Sequence, residues 1–473
     1  MKTIIVWFRN DLRLHDHPAM TTAIKDADTI IPLFIFNNDI LKGRHGSANR
    51  NRFLLESLED LKKQLQVKGS DLVIRYGKAE EELHKLATAV GAEAVYYTAD
   101  YTSYAIQRDK TVKADLAKQN GVIFRGFPGR LAISSLDALH TKAGTTHKIF
   151  SPFFRNWLEV QRRPVATLPL QFPNLPTSVA PEALPSLETI TDTMALSPDV
   201  LKGGESAGRT RLKNFIKNDV VHYRETNNIL AIAGTSRLSS YLHFGCISPL
   251  EIETMLPQNE GADAWRRQLA WREFYHYIIF NFPANAKQEF QERYRTLDWG
   301  HDKTLLAAWQ DGQTGYPVVD ASMRQLLQEG WMHNRARLIV GSFLTKDLWL
   351  DWRHGEQHFM RWLIDGDEAN NNGNWQWIAS VGVDPAPLFR RMYNPASQQK
   401  NYDPNGDYVR KFVPELKDVP DKYLSQPWTM PEAIQIASKC LIGKDYPAPI
   451  VDHAKARLEA FEHYRTGSQG NKA

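Results

Sequence analysis

From residue 3 to about 125, short apolar runs rich in β-branched residues (TIIVWF, TIIPLFIF, LVIRY, AVYY) alternate with amphipathic stretches such as SANRNRFLLESLEDLKKQLQ. Runs of that length without polar alternation predict strands buried on both faces. The stretches between them predict helices, so this region reads as a doubly wound parallel sheet. The first strand leads into RNDLRLHDHP and not into a G-x-G-x-x-G turn, so the usual dinucleotide phosphate loop is missing. From 206 to about 470 the periodicity becomes helical, with stops at Pro and Gly, and predicts a nearly all-α domain. The stretch RRPVATLPLQFPNLPTSVAPEALPSL, dense in Pro, Ser and Thr, predicts a long linker. The domain reading is therefore α/β over 1–130, linker over 131–205 and helical over 206–473.

At 473 residues, with 42% hydrophobic and 24% charged, the composition is that of a globular protein with two domains or more. The N-terminal apolar run is interrupted at Arg9, Asp11 and Arg13, so it reads as a strand and not a signal peptide, and no run reaches membrane-spanning length. Two distant cysteines, Cys246 and Cys440, give neither a disulfide framework nor a metal cluster, which makes a reducing cytoplasm the expected compartment. A net charge of +4 requires that any polyanion be met by a local basic patch.

Ten of the thirteen tryptophans fall between Trp265 and Trp377. That density points to stacking or electron transfer. In GTSRLSSYLHFG, Thr235, Ser236 and Ser239 surround Arg237 as an anion-binding helix start would, although an ordinary N-cap needs the same residues. In WRRQLAWREFYHY, helical spacing puts Trp265, Gln268, Trp271 and Arg272 on one face; a helix packed by aromatics fits equally. In WMHNRARLIVGSFL, Asn334, Arg337 and Leu338 share a face, with Arg335 turned away. In IDGDEANNNGNWQW, Asp365 and Asp367 can accept from ribose hydroxyls or from an arginine, Arg337 being the candidate, and Trp375 and Trp377 point apart.

Together WFRNDLRLHDHPA, GTSRLSSYLHFG, LAWREFYHY, TGYPVVDASMRQL, GWMHNRARLIVGSFLTKDLWLDWR and IDGDEANNNGNWQW resemble the photolyase and cryptochrome flavoproteins. The resemblance runs from Val6 to about Glu415 and is closest to the bacterial class I enzymes that repair cyclobutane pyrimidine dimers. It implies an N-terminal antenna domain, a helical domain holding FAD, blue light as energy source and UV-damaged DNA as substrate, with the protein a monomer. By position it implies that Tyr223, Thr235, Ser236, Arg237, Leu238, Ser239, Trp265 and Arg272 bind the FAD phosphates and ribityl chain. Arg337, Asp365, Asp367 and Asn371 are expected around isoalloxazine and adenine, with the Asn371 amide at flavin N5. Trp375, Trp352 and Trp299 match the electron-carrying chain, Trp271 and Trp377 the indoles that clamp a flipped dimer, and Arg335 and Arg390 the DNA phosphate contacts.

Two positions depart from the family pattern: Gln268 stands where dimer photolyases usually carry Glu, and Leu338 where they carry Met. Gln268 looks like the (6-4) photolyases, but those place a histidine pair where this chain has Asn334 and Leu338, so Asn334 favours the dimer reading. The antenna pattern in DYTSYAIQRD is similar to the 8-hydroxy-deazaflavin type more than to the methenyltetrahydrofolate type. Its residues are expected at position 35 (Ile35, between Phe34 and Phe36), Arg52, Asp100 and Tyr104. A cryptochrome-type blue-light receptor is the alternative to repair. The chain runs only about 58 residues beyond Glu415, with no long signalling tail.

Overall fold

The computed structural model describes residues 2–118, 121–173, 175–176 and 178–467. Five parallel strands, β1 (Thr3–Phe8), β2 (Thr29–Phe36), β3 (Val73–Tyr76), β4 (Ala94–Thr98) and β5 (Ile123–Phe127), pair in the order β3-β2-β1-β4-β5. β1 is central, with Ile4 opposite both Ile30 and Ala94. All six of its residues are buried, which is why its sequence shows no alternation. The period of two still sorts the side chains. Ile4, Val6 and Phe8 face α1 (Pro18–Asp26) and α2 (Ala48–Val67), while Ile5 and Trp7 face α3 (Ala79–Val90) and α4 (Ser103–Leu116).

The segment expected to be linker is pinned to the core. Leu131, Ala132 and Ile133 are buried, and α5 (Phe150–Glu159) inserts Phe150, Phe153 and Trp157 at 1% exposure or less. Apolar residues at three- and four-residue spacing drive this burial, a short pattern outweighed in the sequence by the surrounding prolines. The Trp157 indole donates to Glu273 Oε2 at 2.7 Å, fastening α5 to the long helix α7 (Glu260–Asn281). Helix α6 (Glu205–Asn218) opens the helical region.

Three further helices frame the centre: α8 (Asn334–Ser342), α9 (Trp352–Trp362) and α10 (Glu368–Ile378). Glycines let them approach. A Cβ on Gly373 would lie 2.1 Å from the Tyr275 ring of α7, and one on Gly341 would lie 3.0 Å from Ile378. Helix α11 (His453–Gly467) packs beneath, with Tyr464 buried. Among the described residues no helix is long and apolar enough to cross a membrane, and no group of His, Cys, Asp and Glu could hold a metal ion. Both cysteines are free and buried.

Candidate active site

Asn259 caps α7 by accepting from the Ala262 N–H at 2.8 Å, and the helix then presents its four expected residues in different environments. Trp265 is buried and donates from Nε1 to Ser236 Oγ at 3.2 Å, which holds the 235–239 segment against α7. Tyr223 is buried beside it through Phe215. Leu238 is buried and Ser239, exposed, begins a short helical turn. Thr235, Ser236 and Arg237 line one end of a cleft of about 1030 Å3 between α2 and α6. That cleft is distinct from the region around Gln268 and Asn371, which do not line it.

Arg237 sits at φ +51°, pairs with Glu329 at 3.1 Å and stacks on Trp331 at 4.1 Å. Expected as an anion ligand, it is already committed to a carboxylate and an indole. Arg272 is the less committed guanidinium. Its hydrogen-bond partners among the described residues are two carbonyls, Arg130 O at 3.2 Å and Leu242 O at 3.4 Å. Burial and the nearby Arg130 pull its pKa down to about 10, so it remains charged and suited to an anion brought from outside.

Asp365 accepts from Arg337 Nη2 at 2.8 Å, the partner expected from sequence, while its other oxygen is buried with no hydrogen-bond partner among the described residues. A carboxylate with one oxygen satisfied and one bare fits a hydroxyl or ring N–H donor. Sequence reasoning passed over Arg50, which reaches from α2 to the carbonyls of Met360 and, at 2.8 Å, Leu363, and fixes the turn before Asp365. The clue lay in a run of four polar residues, Asn49 to Arg52, at the start of an amphipathic helix; Asn49, Arg50 and Asn51 are buried. Asp367 serves differently from expectation. It caps α10, accepting from Asn370 N at 3.0 Å, and pairs with Arg130 Nη2 at 3.2 Å with His243 and His276 close by. Burial pushes its pKa up, but His276, His243 and Arg130 outweigh this and hold it well below the usual range. Its carboxylate is thus spent inside the protein, welding α10 to residue 130.

Asn371 donates from Nδ2 to Glu356 O at 2.9 Å, which orients its amide. Burial drives the Glu356 carboxyl up to about 7, against the hydrogen bond from Asn372. Trp375 is 3% exposed and Trp377 half-buried. Trp375 rests on Gly355 of α9, one turn from Trp352. Trp352 is fully buried and donates to Glu289 Oε1 at 3.2 Å. Trp299 is 6% exposed.

Each of the two clamp candidates is backed on one side. Phe150 stacks on Trp271 at 3.7 Å and 5°, and the Arg391 guanidinium lies 3.9 Å from the Trp377 ring. Neither backing residue was found from sequence. Gln268 and Asn334 are exposed, and their amides make no hydrogen bond to protein among the described residues, while Leu338 is partly buried against the core. Arg390 is exposed. Arg335, its expected companion, is held by Asn228 Oδ1 at 2.7 Å and stacks on Tyr402 at 4.4 Å.

The four antenna positions do not converge. Asp100 and Tyr104 lie beyond the C-terminal end of β4, near Trp7, Arg9, Tyr97, Arg108 and Asp109. Ile35 is buried under α3 and α4, whereas Arg52, on α2, belongs to the opposite face of the sheet and pairs with Glu56 at 3.1 Å. Strand alternation, hidden by the continuous apolar run, decides this.

The family model described as DNA photolyase matches residues 4–174, and that described as the FAD binding domain of DNA photolyase matches 265–466. The deoxyribodipyrimidine photo-lyase of Streptomyces griseus is 37% identical over 475 residues, covering 98% of this chain and 99% of that one. Among solved structures, a bacterial class III photolyase from Agrobacterium tumefaciens superposes with TM-score 0.91 at 33% identity, covering 99% of this chain and 98% of its own. A Synechocystis sp. PCC6803 cryptochrome superposes with TM-score 0.89 at 30% identity, covering 98% and 99%. Two domain models in order and relatives matched end to end are what the site geometry led towards: the chain belongs to the DNA photolyase family.

Proposed function

We propose that this protein is a light-driven deoxyribodipyrimidine photo-lyase that holds FAD among α7, α8 and α10 and splits cyclobutane pyrimidine dimers in DNA. The residues present fit FAD. Arg272, hydrogen-bonded to carbonyls, would offer positive charge to a diphosphate, the buried Asp365 Oδ1 would accept from a donor of the cofactor, and the fixed Asn371 amide would present a neutral group. Bound FAD, reduced and excited by blue light, supplies the one electron that opens the cyclobutane ring. The chain's own residues then bind and orient the lesion. A neutral amide at position 371 has no acidic proton to give, which favours keeping a reduced cofactor anionic.

The observation that carries the reading is the pair of half-buried indoles, Trp271 stacked on Phe150 and Trp377 on the Arg391 guanidinium, together with the exposed amides of Gln268 and Asn334. A base flipped from the duplex stacks on such an indole face, and amides that the protein leaves unsatisfied can donate to pyrimidine carbonyls. Gln268 donates at every accessible pH, whereas a glutamate there must be protonated to do so. The test uses one prereduced preparation, blue light, a defined thymine dimer and a (6-4) lesion. Dimer repair is expected, with little pH dependence for the natural protein and falling efficiency as pH rises for Gln268→Glu. Repair of the (6-4) lesion alone overturns the substrate class, and repair of neither places the protein with the light receptors. We also infer an 8-hydroxy-deazaflavin-type antenna beyond β1 and β4, where strand order reverses and ligands gather in open α/β sheets. An absorption band in addition to those of flavin, lost in a Tyr104→Ala variant, checks it.

A further inference from the structure

Asp384 belongs to neither clamp candidate, yet it is tied to both. Helix α5 begins at Phe150 with no cap of its own, because Ile149 at its head has no side-chain acceptor. Asp384 supplies one from a distant segment: its Oδ1 accepts from the Phe150 N–H at 3.1 Å, and its own N–H donates to Lys148 O at 2.9 Å. Phe150 is the ring that stacks on Trp271. The second oxygen, Oδ2, accepts from Trp377 Nε1 at 3.4 Å, and the Arg391 guanidinium that stacks on Trp377 donates to Asp384 O. One residue thus meets the backing of the first indole, the second indole itself and the backing of the second.

The backbone fixes where these contacts are made. Asp384 sits at φ +53°, a left-handed conformation that Asp and Asn enter more readily than other side chains. Upstream, the Val381 and Gly382 N–H groups both donate to Gln376 O at 3.0 Å, and Gln291 donates from Nε2 to Gly382 O at 2.9 Å, so the loop is a bracket held against the end of α10. Its charge is out of place on a surface that receives DNA: the Asp384 side chain is 25% exposed, and a carboxylate near phosphates lowers the affinity for any polyanion. A helix cap alone needs no charge, since Asn or Ser serves as well. Two acceptor oxygens facing two N–H donors on different segments are what a carboxylate offers and an amide does not.

We propose that Asp384 is the positioning residue of the lesion clamp: it sets the separation and tilt of Trp271 and Trp377 by holding Phe150 with one oxygen and the Trp377 indole N–H with the other. The inference rests on the photo-lyase reading, in which the two indoles receive a flipped dimer. With its N–H engaged, the Trp377 ring is oriented before DNA arrives, so the ordering cost is met in folding and not in binding. Undamaged DNA, whose bases stay stacked in the duplex, gains nothing from this orientation and meets only the negative charge. The carboxylate therefore acts on discrimination, with opposite signs for the two kinds of DNA.

The experiment uses the prereduced holoprotein, a duplex carrying one thymine dimer and its undamaged twin, with affinities from fluorescence titration and repair followed under blue light. Asparagine tolerates the left-handed φ and can keep its oxygen toward Phe150, but it then turns an NH2 group toward Trp377. Asp384→Asn, at unchanged flavin content, is expected to weaken dimer binding about tenfold, or about 1.4 kcal/mol, and to leave the binding of undamaged DNA unchanged or tighter. The loss should appear in KM, with kcat at saturating dimer near its natural value. In a Trp377→Phe background, where no indole N–H remains to be held, Asp384→Asn should change dimer affinity by less than about twofold. Unchanged dimer affinity in Asp384→Asn, an equal loss on both duplexes, or the same loss in both backgrounds overturns the proposal and leaves the photo-lyase reading standing. A natural protein that binds both duplexes alike overturns both. If Asp384→Asn loses flavin, the ultraviolet resonance Raman difference between the natural protein and Trp377→Phe decides: a hydrogen-bonded indole N–H at Trp377 supports the proposal, and a free one overturns it.

Discussion

Replacing Gly355 with alanine sets two effects of opposite sign against each other. Within helix α9 the change gains about 0.5–1 kcal/mol, because alanine surrenders less backbone entropy than glycine. The added methyl, however, would lie 2.1 Å from Trp375 Cη2 and 2.5 Å from both Cζ2 and Cζ3. None of these atoms can withdraw freely, since Trp375 is 3% exposed and boxed by Phe359 at 5.0 Å and Trp309 at 6.1 Å. Overpacking of this kind costs about 1–3 kcal/mol or more, so the net expectation is a loss of about 1–2 kcal/mol. The three clashing atoms belong to the six-membered ring of the indole, beyond the reach of a phenylalanine at the same position. In a Trp375→Phe background, where the ring has left a cavity, Gly355→Ala is therefore expected to be neutral or stabilising. Urea unfolding of the four holoproteins in the dark, followed by far-UV circular dichroism, completes the cycle. An equal cost in both backgrounds, or a gain in the natural one, refutes the packing argument. Gly355→Ala should also slow photoreduction, by tilting Trp375 relative to Trp352.

Arg390→Ala should lower the salt slope of DNA binding by about one, as the loss of one phosphate contact requires, whereas Arg335→Ala, whose guanidinium is held by Asn228 and Tyr402, should leave it nearly unchanged; fluorescence titrations across salt concentrations separate the two. His15 joins the first domain to Glu205 and Glu251. Burial lowers its pKa, but the two carboxylates outweigh that and raise it, so its stabilisation is complete below the unfolded value near 6.5 and is lost as pH rises through the folded value. His15→Gln is thus expected to cost about 1–3 kcal/mol at pH 6 and clearly less at pH 9, read from urea midpoints. Asp367→Asn leaves Arg130 buried without its carboxylate and should cost about 3–5 kcal/mol at pH 7. Because the Asp367 pKa is depressed, that contribution is present above the unfolded carboxylate value and shrinks as pH falls, so the two proteins should converge in acid.

The parallel sheet, the helical second domain and the alignment of Trp265, Gln268, Trp271 and Arg272 along one helix were legible in the sequence, because strand and helix periods are local properties. So was the Arg337–Asp365 pair, an arginine and a carboxylate in two motifs that carry the same family resemblance. What required the tertiary structure were choices among partners equally available in composition. Arg237 and Arg272 look alike as cations, and only packing shows that Glu329 and Trp331 occupy the first while the hydrogen bonds of the second, among the described residues, go to carbonyls. Asp367 reads as a ligand until His243, His276 and Arg130 converge on it from three other segments. The residues backing the two clamp indoles, Phe150 and Arg391, come from distant stretches with no shared pattern. Periodicity records which way a side chain faces along its own element, whereas the identity of what it meets is set by long-range packing, and that is where this site acquires its electrostatics and its exposed faces.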